Sequence, residues 1–238
     1  MLSRSGPAPD LVLTYGDAPE QVIEVWLRPA RAGHRPVVAL VHGGFWRPEY
    51  DRRHIRPMAG ALRDAGWSVA SVEYRRVPGR PDRASTDVQA ALRGLPALHP
   101  PAAEGLIVVG HSAGGHLALL AGVHVPGLYG IIGLAPVASL QLAHRLDLDD
   151  GAVADFLGGG PEPRPDLDPV RSADARCPVT IVHGTDDALV PIALAEAYVD
   201  AHPATRLVRL ERVGHFALID PLSPAFPAVS AEVARLIT

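Results

Sequence analysis

Ser112, Asp187 and His215 are the residues whose types and order could activate a hydroxyl for attack on a carbonyl. A serine hydroxyl is a poor nucleophile at neutral pH. It needs a base within hydrogen-bond reach, and that base needs a carboxylate to orient it. Ser112 sits in Gly110-His111-Ser112-Ala113-Gly114, a G-x-S-x-G spacing between the apolar run 106–109 and the small-residue stretch 115–121. A strand feeding a sharp turn into a helix presents the serine Oγ at the edge of a sheet. The helix N-terminus behind it brings N–H groups and a positive dipole end to where negative charge develops. The pentapeptide alone is a common pattern, and the strand, turn and helix around it are what give it meaning.

In a sheet whose serine tops such a turn, the partners follow in the order acid, then histidine. His183-Gly184-Thr185-Asp186-Asp187 directly follows the apolar run 179–182, which sets a carboxylate in the crevice at the carboxyl ends of the strands. Asp187 is the expected orienting acid, with Asp186 as the alternative; a helix-capping turn is the competing reading. Beyond them only His202 and His215 remain. His202 precedes Pro203 on a connector, whereas His215 follows the apolar run 207–213 on the short Gly214-His215-Phe216 loop, so His215 is the expected base.

An oxyanion needs donors. One is expected to be the backbone N–H of Ala113, next to the serine. The others are expected from Gly44 and Phe45 in His42-Gly43-Gly44-Phe45-Trp46, the loop that ends the apolar run 37–41. Trp46 and Tyr50 stand beside that loop as candidates for lining a substrate pocket, with core packing the competing reading of the tryptophan.

The elements that must position these groups alternate along the chain. Strands are expected at 21–27, 37–41, 67–74, 106–109, 128–134, 179–182 and 207–213, the first open to antiparallel pairing. Helices are expected at 56–65, 85–95, 113–123, 194–201 and 228–237. That order predicts a mostly parallel sheet covered on both faces. Residues 136–176 break the pattern with Asp, Pro and Gly, and predict an excursion over one edge carrying short helices at 140–146 and 151–157. Gly158-Gly159-Gly160 follows no strand, so it is read as a flexible loop and not a phosphate cradle.

Composition narrows the chemistry. A chain of 238 residues fits one domain, residues 1–238, with a sizeable core. No lysine is present, which excludes P-loop, Schiff-base and Ser-x-x-Lys chemistry, and no asparagine, which excludes a Cys-His-Asn arrangement. The net charge of −4 with dispersed arginines argues against a nucleic-acid partner. No apolar stretch reaches the roughly 18 residues of a membrane span. The single cysteine, Cys177, and an N-terminal stretch without an apolar h-region predict a cytoplasmic protein. His111 and His116 lie near the turn but lack H-e-x-x-H spacing, so no metal is expected.

Taken together, His42-Gly43-Gly44-Phe45-Trp46, Gly110-His111-Ser112-Ala113-Gly114-Gly115, His183-Gly184-Thr185-Asp186-Asp187 and Gly214-His215 resemble the α/β-hydrolase superfamily. Within it the chain is similar to the HGG-bearing esterase branch that includes kynurenine formamidases and small carboxylesterases. Val72-Glu73-Tyr74-Arg75-Arg76 resembles a strand end common there, while Phe45 departs from the tyrosine usual in formamidases. The resemblance implies an α/β-hydrolase fold with a small or absent cap, and a cofactor-free serine hydrolase acting on a small-molecule acyl ester or an N-formyl or aryl amide. The alternatives are a prolyl-oligopeptidase-like peptidase, a biosynthetic acyltransferase or thioesterase, and a ligand receptor without turnover.

Overall fold

The computed structural model describes residues 4–29 and 35–237. Among them, strands β1 (Leu11–Thr14), β2 (Val22–Trp26), β3 (Val37–Val41), β4 (Val69–Val72), β5 (Leu106–His111), β6 (Leu128–Leu134), β7 (Val179–Gly184) and β8 (Arg206–Leu210) form one sheet. Its order is β1-β2-β4-β3-β5-β6-β7-β8. The first two pairings, β1 with β2 and β2 with β4, are antiparallel, and all the others are parallel.

Helices α1 (Arg56–Asp64), α2 (Pro81–Leu98), α3 (Ala113–His124), α4 (Leu140–Arg145), α5 (Ala152–Leu157), α6 (Ala193–Ala201) and α7 (Phe226–Arg235) fill the connections. The near-continuous apolar strands have two buried faces, as a central parallel sheet requires. Along β3, Val37, Ala39 and Val41 enter one core with α2, α3 and α6, while Val38 and Leu40 enter the other with α1 and α7. β5 alternates the same way: Leu106 and Val108 face the first core, Ile107 and Val109 the second.

Among the strands and α-helices, three departures from the sequence expectation exceed two residues. β1 went unread because its Leu11 and Val12 are exposed at the sheet edge, so no buried face shows in its pattern. α2 begins at Pro81, four residues early, because a proline in the first turn gives up an N–H that has no helical partner anyway. β8 stops at Leu210 instead of 213. The chain turns at Arg212, whose φ is 57° and whose N–H donates to Thr185 Oγ1 at 2.9 Å, bringing the next residues over the end of β7.

The 136–176 excursion carries α4 and α5 within a residue of their expected bounds. It is tied at both ends. Buried Asp168 accepts the N–H groups of Leu140 at 3.0 Å and Gln141 at 3.2 Å, capping α4. The triglycine loop is not free either: Gly158 packs against Gly79, whose N–H donates to Asp155 O at 2.8 Å.

Candidate active site

β5 passes into α3 through Ser112, which has φ 56° and ψ −120°. An L-residue held there costs roughly 1–3 kcal/mol and persists only where the surroundings enforce it. Here Ser112 N–H donates to Leu134 O at 2.9 Å, and Ser112 O accepts from His116 and Val137. The first turn of α3 presses on the end of β3: a Cβ on Gly114 would stand 2.1 Å from Val41 O. Only glycine permits that approach.

Asp187 and His215 come together from the ends of β7 and β8. His215 Nδ1–H donates to Asp187 Oδ2 at 2.6 Å, and both side chains are buried. The second carboxylate oxygen accepts the N–H groups of Leu189 at 3.0 Å and Val190 at 2.8 Å, so the carboxylate has one orientation. Burial works to raise the Asp187 carboxyl. Hydrogen bonds from His183 and His215 outweigh it and hold the group well below the usual carboxylate range. Asp186 is exposed and reaches neither histidine ring. His202, the other histidine of the sequence reading, bonds Asp174 and Pro169 O far from Ser112.

The His42 loop lies against the serine. A Cβ on Gly43 would stand 2.8 Å from His111 O and 2.9 Å from Ser112 Cβ. Phe45 and Trp46 follow with φ of 44° and 57°, and Arg47 N–H closes the turn on Gly44 O at 2.9 Å. Among the described residues, the N–H groups of Gly44, Phe45 and Ala113 are not committed to any acceptor.

Ser112 and His215 face one cavity of about 330 Å³, walled by Gly44, Phe45, Tyr50, His54, His111, Asp149, Leu189 and Phe216. Ser112 Oγ makes no hydrogen bond to His215 among the described residues. Such contacts are often long before substrate binds. Tyr50 lines this cavity. Trp46 does not line it: it is buried behind the loop, stacked on Phe156 at 4.3 Å and edge-on to His116 at 5.1 Å.

The sequence reading missed four wall residues, His54, Asp149, Leu189 and Phe216. Asp149 arrives from the excursion, where Arg47 of the His42 loop binds its carboxylate at 2.6 Å and also reaches Asp155 at 3.0 Å. It also assigned no part to His111, which sits immediately before the serine. Burial, then the charge of His215, keeps that imidazole well below its ordinary pKa, and His111 Nε2–H donates to His215 O at 3.2 Å. It steadies the histidine loop from beneath.

Chemically, the arrangement offers a hydroxyl on a strained turn, an oriented imidazole and the uncommitted N–H groups of Gly44 and Phe45 at one cavity, with that of Ala113 next to the serine. Among the described residues no cluster of His, Cys, Asp or Glu is arranged to hold a metal ion, and no helix is long and apolar enough to cross a membrane.

The sheet order and the strand-to-helix turn define the class of fold: the chain has the α/β-hydrolase fold. More particularly, residues 23–127 match the family model BD-FAE. Esterase LipC of Mycobacterium tuberculosis is 28% identical over 235 residues, covering 86% of this chain and 57% of its own. Probable carboxylic ester hydrolase LipM of the same organism is 28% identical over 213 residues, covering 75% and 48%. The chain thus spans about half the length of these two relatives. Among solved structures, Esterase B from Lactobacillus rhamnosis aligns with a TM-score of 0.77 at 20% identity over 97% of this chain and 86% of its own. A truncated carbohydrate esterase from gut microbiota aligns with a TM-score of 0.77 at 16% identity over 98% and 99%.

Proposed function

We propose that this chain is a serine hydrolase that cleaves small acyl esters through an acyl-enzyme. The observation that carries the reading is the convergence of Ser112 with the Asp187–His215 pair on one cavity. In this account Ser112 Oγ attacks the acyl carbonyl and its proton passes to His215 Nε2. Asp187 holds the imidazole by Nδ1 and stabilises its charged form. The oxyanion lies against the N–H groups of Gly44, Phe45 and Ala113. The imidazolium then protonates the leaving alcohol, and water repeats the sequence to release the acid.

Esters are favoured over formamides because the relatives' names are those of ester hydrolases and because Phe45 stands where formamidases carry tyrosine. A short acyl chain is favoured because the cavity is at the small end of the range for ligand pockets. The test is a panel of p-nitrophenyl acetate, p-nitrophenyl octanoate, N-formylkynurenine and a proline amide. Acetate should be turned over fastest. Preference for octanoate would sink the short-acyl reading, and preference for either amide would sink the ester reading.

A further inference from the structure

Glu73 is the first residue past β4, beside His42 at the head of the oxyanion loop, because the parallel register pairs Val41 with Val72. Its side chain is buried, yet both carboxylate oxygens are saturated. Oε1 accepts from His42 Nε2 at 3.0 Å, Tyr74 N–H at 3.0 Å and Arg76 Nη1. Oε2 accepts from Arg52 N–H at 3.0 Å and Arg52 Nη1 at 3.3 Å. Burial opposes the charge, but the contacts from His42, Arg76 and Arg52 hold the carboxyl well below its ordinary range. A buried ionic cluster often does no better for stability than an apolar replacement.

Its partners explain the placement. Arg52 opens a short helical turn, Arg52–Ile55, which follows Tyr50 and contains His54, two walls of the Ser112 cavity. His42 carries the loop whose next residues supply the Gly44 and Phe45 donors. It is clamped on its remaining sides: Tyr74 stacks on its ring at 4.5 Å and donates its hydroxyl to His42 O at 2.9 Å. One carboxylate therefore ties the donor loop to the opposite wall of the cavity. Arg52 and Arg56 also bind Glu24, so two carboxylates face three guanidiniums, those of Arg52, Arg56 and Arg76.

We propose that Glu73 is the positioning residue of the oxyanion loop, setting the Gly44 and Phe45 N–H groups at their distance from Ser112 through His42 and Arg52. The proposal rests on the serine-hydrolase reading above. It concerns transition-state binding and not substrate binding, because Glu73 lies outside the cavity lining.

The experiment compares wild type with Glu73→Gln and Glu73→Asp on p-nitrophenyl acetate, together with the affinity of a short trifluoromethyl ketone, whose hemiketal on serine places an oxyanion in the same position. Glutamine offers one acceptor oxygen and an N–H₂ group, so it cannot take five donors. Aspartate keeps the charge but is one methylene short of spanning His42 and Arg52, and it is the variant that decides if glutamine does not fold. The expected result is a kcat lowered about 10- to 100-fold with KM within about threefold, and ketone affinity falling in parallel with kcat. Folded Glu73→Asp with kcat and ketone affinity within about twofold of wild type overturns the proposal. So does a loss confined to KM. A wild-type chain that neither cleaves the ester nor binds the ketone overturns the hydrolase reading instead, and that result is distinct from either.

Discussion

His215 Nδ1 and Asp187 Oδ2 stand 2.6 Å apart, while the neighbouring Asp186 carboxylate is exposed and contacts neither ring nitrogen. Two adjacent, chemically identical side chains are thereby given unequal parts. Asp187→Asn should lower kcat on the order of 10⁴-fold, because an amide no longer holds the imidazole in the reactive tautomer. Asp186→Asn should leave kcat within about threefold. Steady-state kinetics on p-nitrophenyl acetate checks both, and a silent Asp187→Asn contradicts the assignment.

Gly43 has no room for a side chain, since a Cβ would stand 2.8 Å from His111 O and 2.9 Å from Ser112 Cβ. Gly43→Ala must push the loop away from the serine. Displacing a donor from an oxyanion costs about 10²–10³ in kcat. The expected signature is that loss with KM little changed. An alanine variant with full activity would place the donors elsewhere.

Trp46 and Tyr50 were both candidates by sequence, Tyr50 with the weaker claim, and their places in the structure separate them. Trp46→Phe should lower the melting temperature by several degrees, since it trims a buried stack on Phe156, and should not change the acetate-to-octanoate preference. Tyr50→Ala, which removes a cavity wall, should raise KM and relax the preference towards longer chains. Thermal melts and the two-ester ratio measure both, and a preference that follows Trp46 would contradict the cavity as described.

Stability should fall with acid in a defined window. Burial pushes His116 down to about 4, and burial with the charge of His42 pushes His54 down to about 4, against an ordinary 6.5. Folding favours their neutral forms, so their contribution is full above pH 6.5. It is lost as the pH falls from there through about 4. The depressed carboxylates Asp187 and Glu73 add to the loss as the pH falls into and below the ordinary carboxylate range, at the acid end of this window and beyond it. Melting temperature should therefore decline between pH 6.5 and 4, and His116→Gln should shallow the decline. A flat profile across that window would contradict the burial of these rings as neutral groups.

Much of the site was legible because its signals are local in sequence. Ser112 announces itself by a strand before it and small residues after it, and the order acid-then-histidine leaves His215 little competition. The continuous apolar run Val37–Val41 and the run into Ser112 placed the central strands for the same reason. What stayed hidden depends on distant segments meeting. Asp149 and Phe216 become walls only once the excursion and the β8 loop fold over the same opening. The part of Glu73 could not be read from its own neighbourhood either, since His42 lies 31 residues away and Arg52 lies 21. Trp46 resembled a pocket residue because its neighbour Phe45 is one. The left-handed turn at these two residues sends the tryptophan ring into the core.

The account stands on Ser112 as the nucleophile, and active-site labelling with a fluorophosphonate tests that directly. Wild-type protein should incorporate one phosphonyl group, located at Ser112 by peptide mass spectrometry, in step with loss of ester hydrolysis. Folded Ser112→Ala should incorporate none. Labelling that persists in that variant, or full hydrolysis without Ser112, would contradict the account.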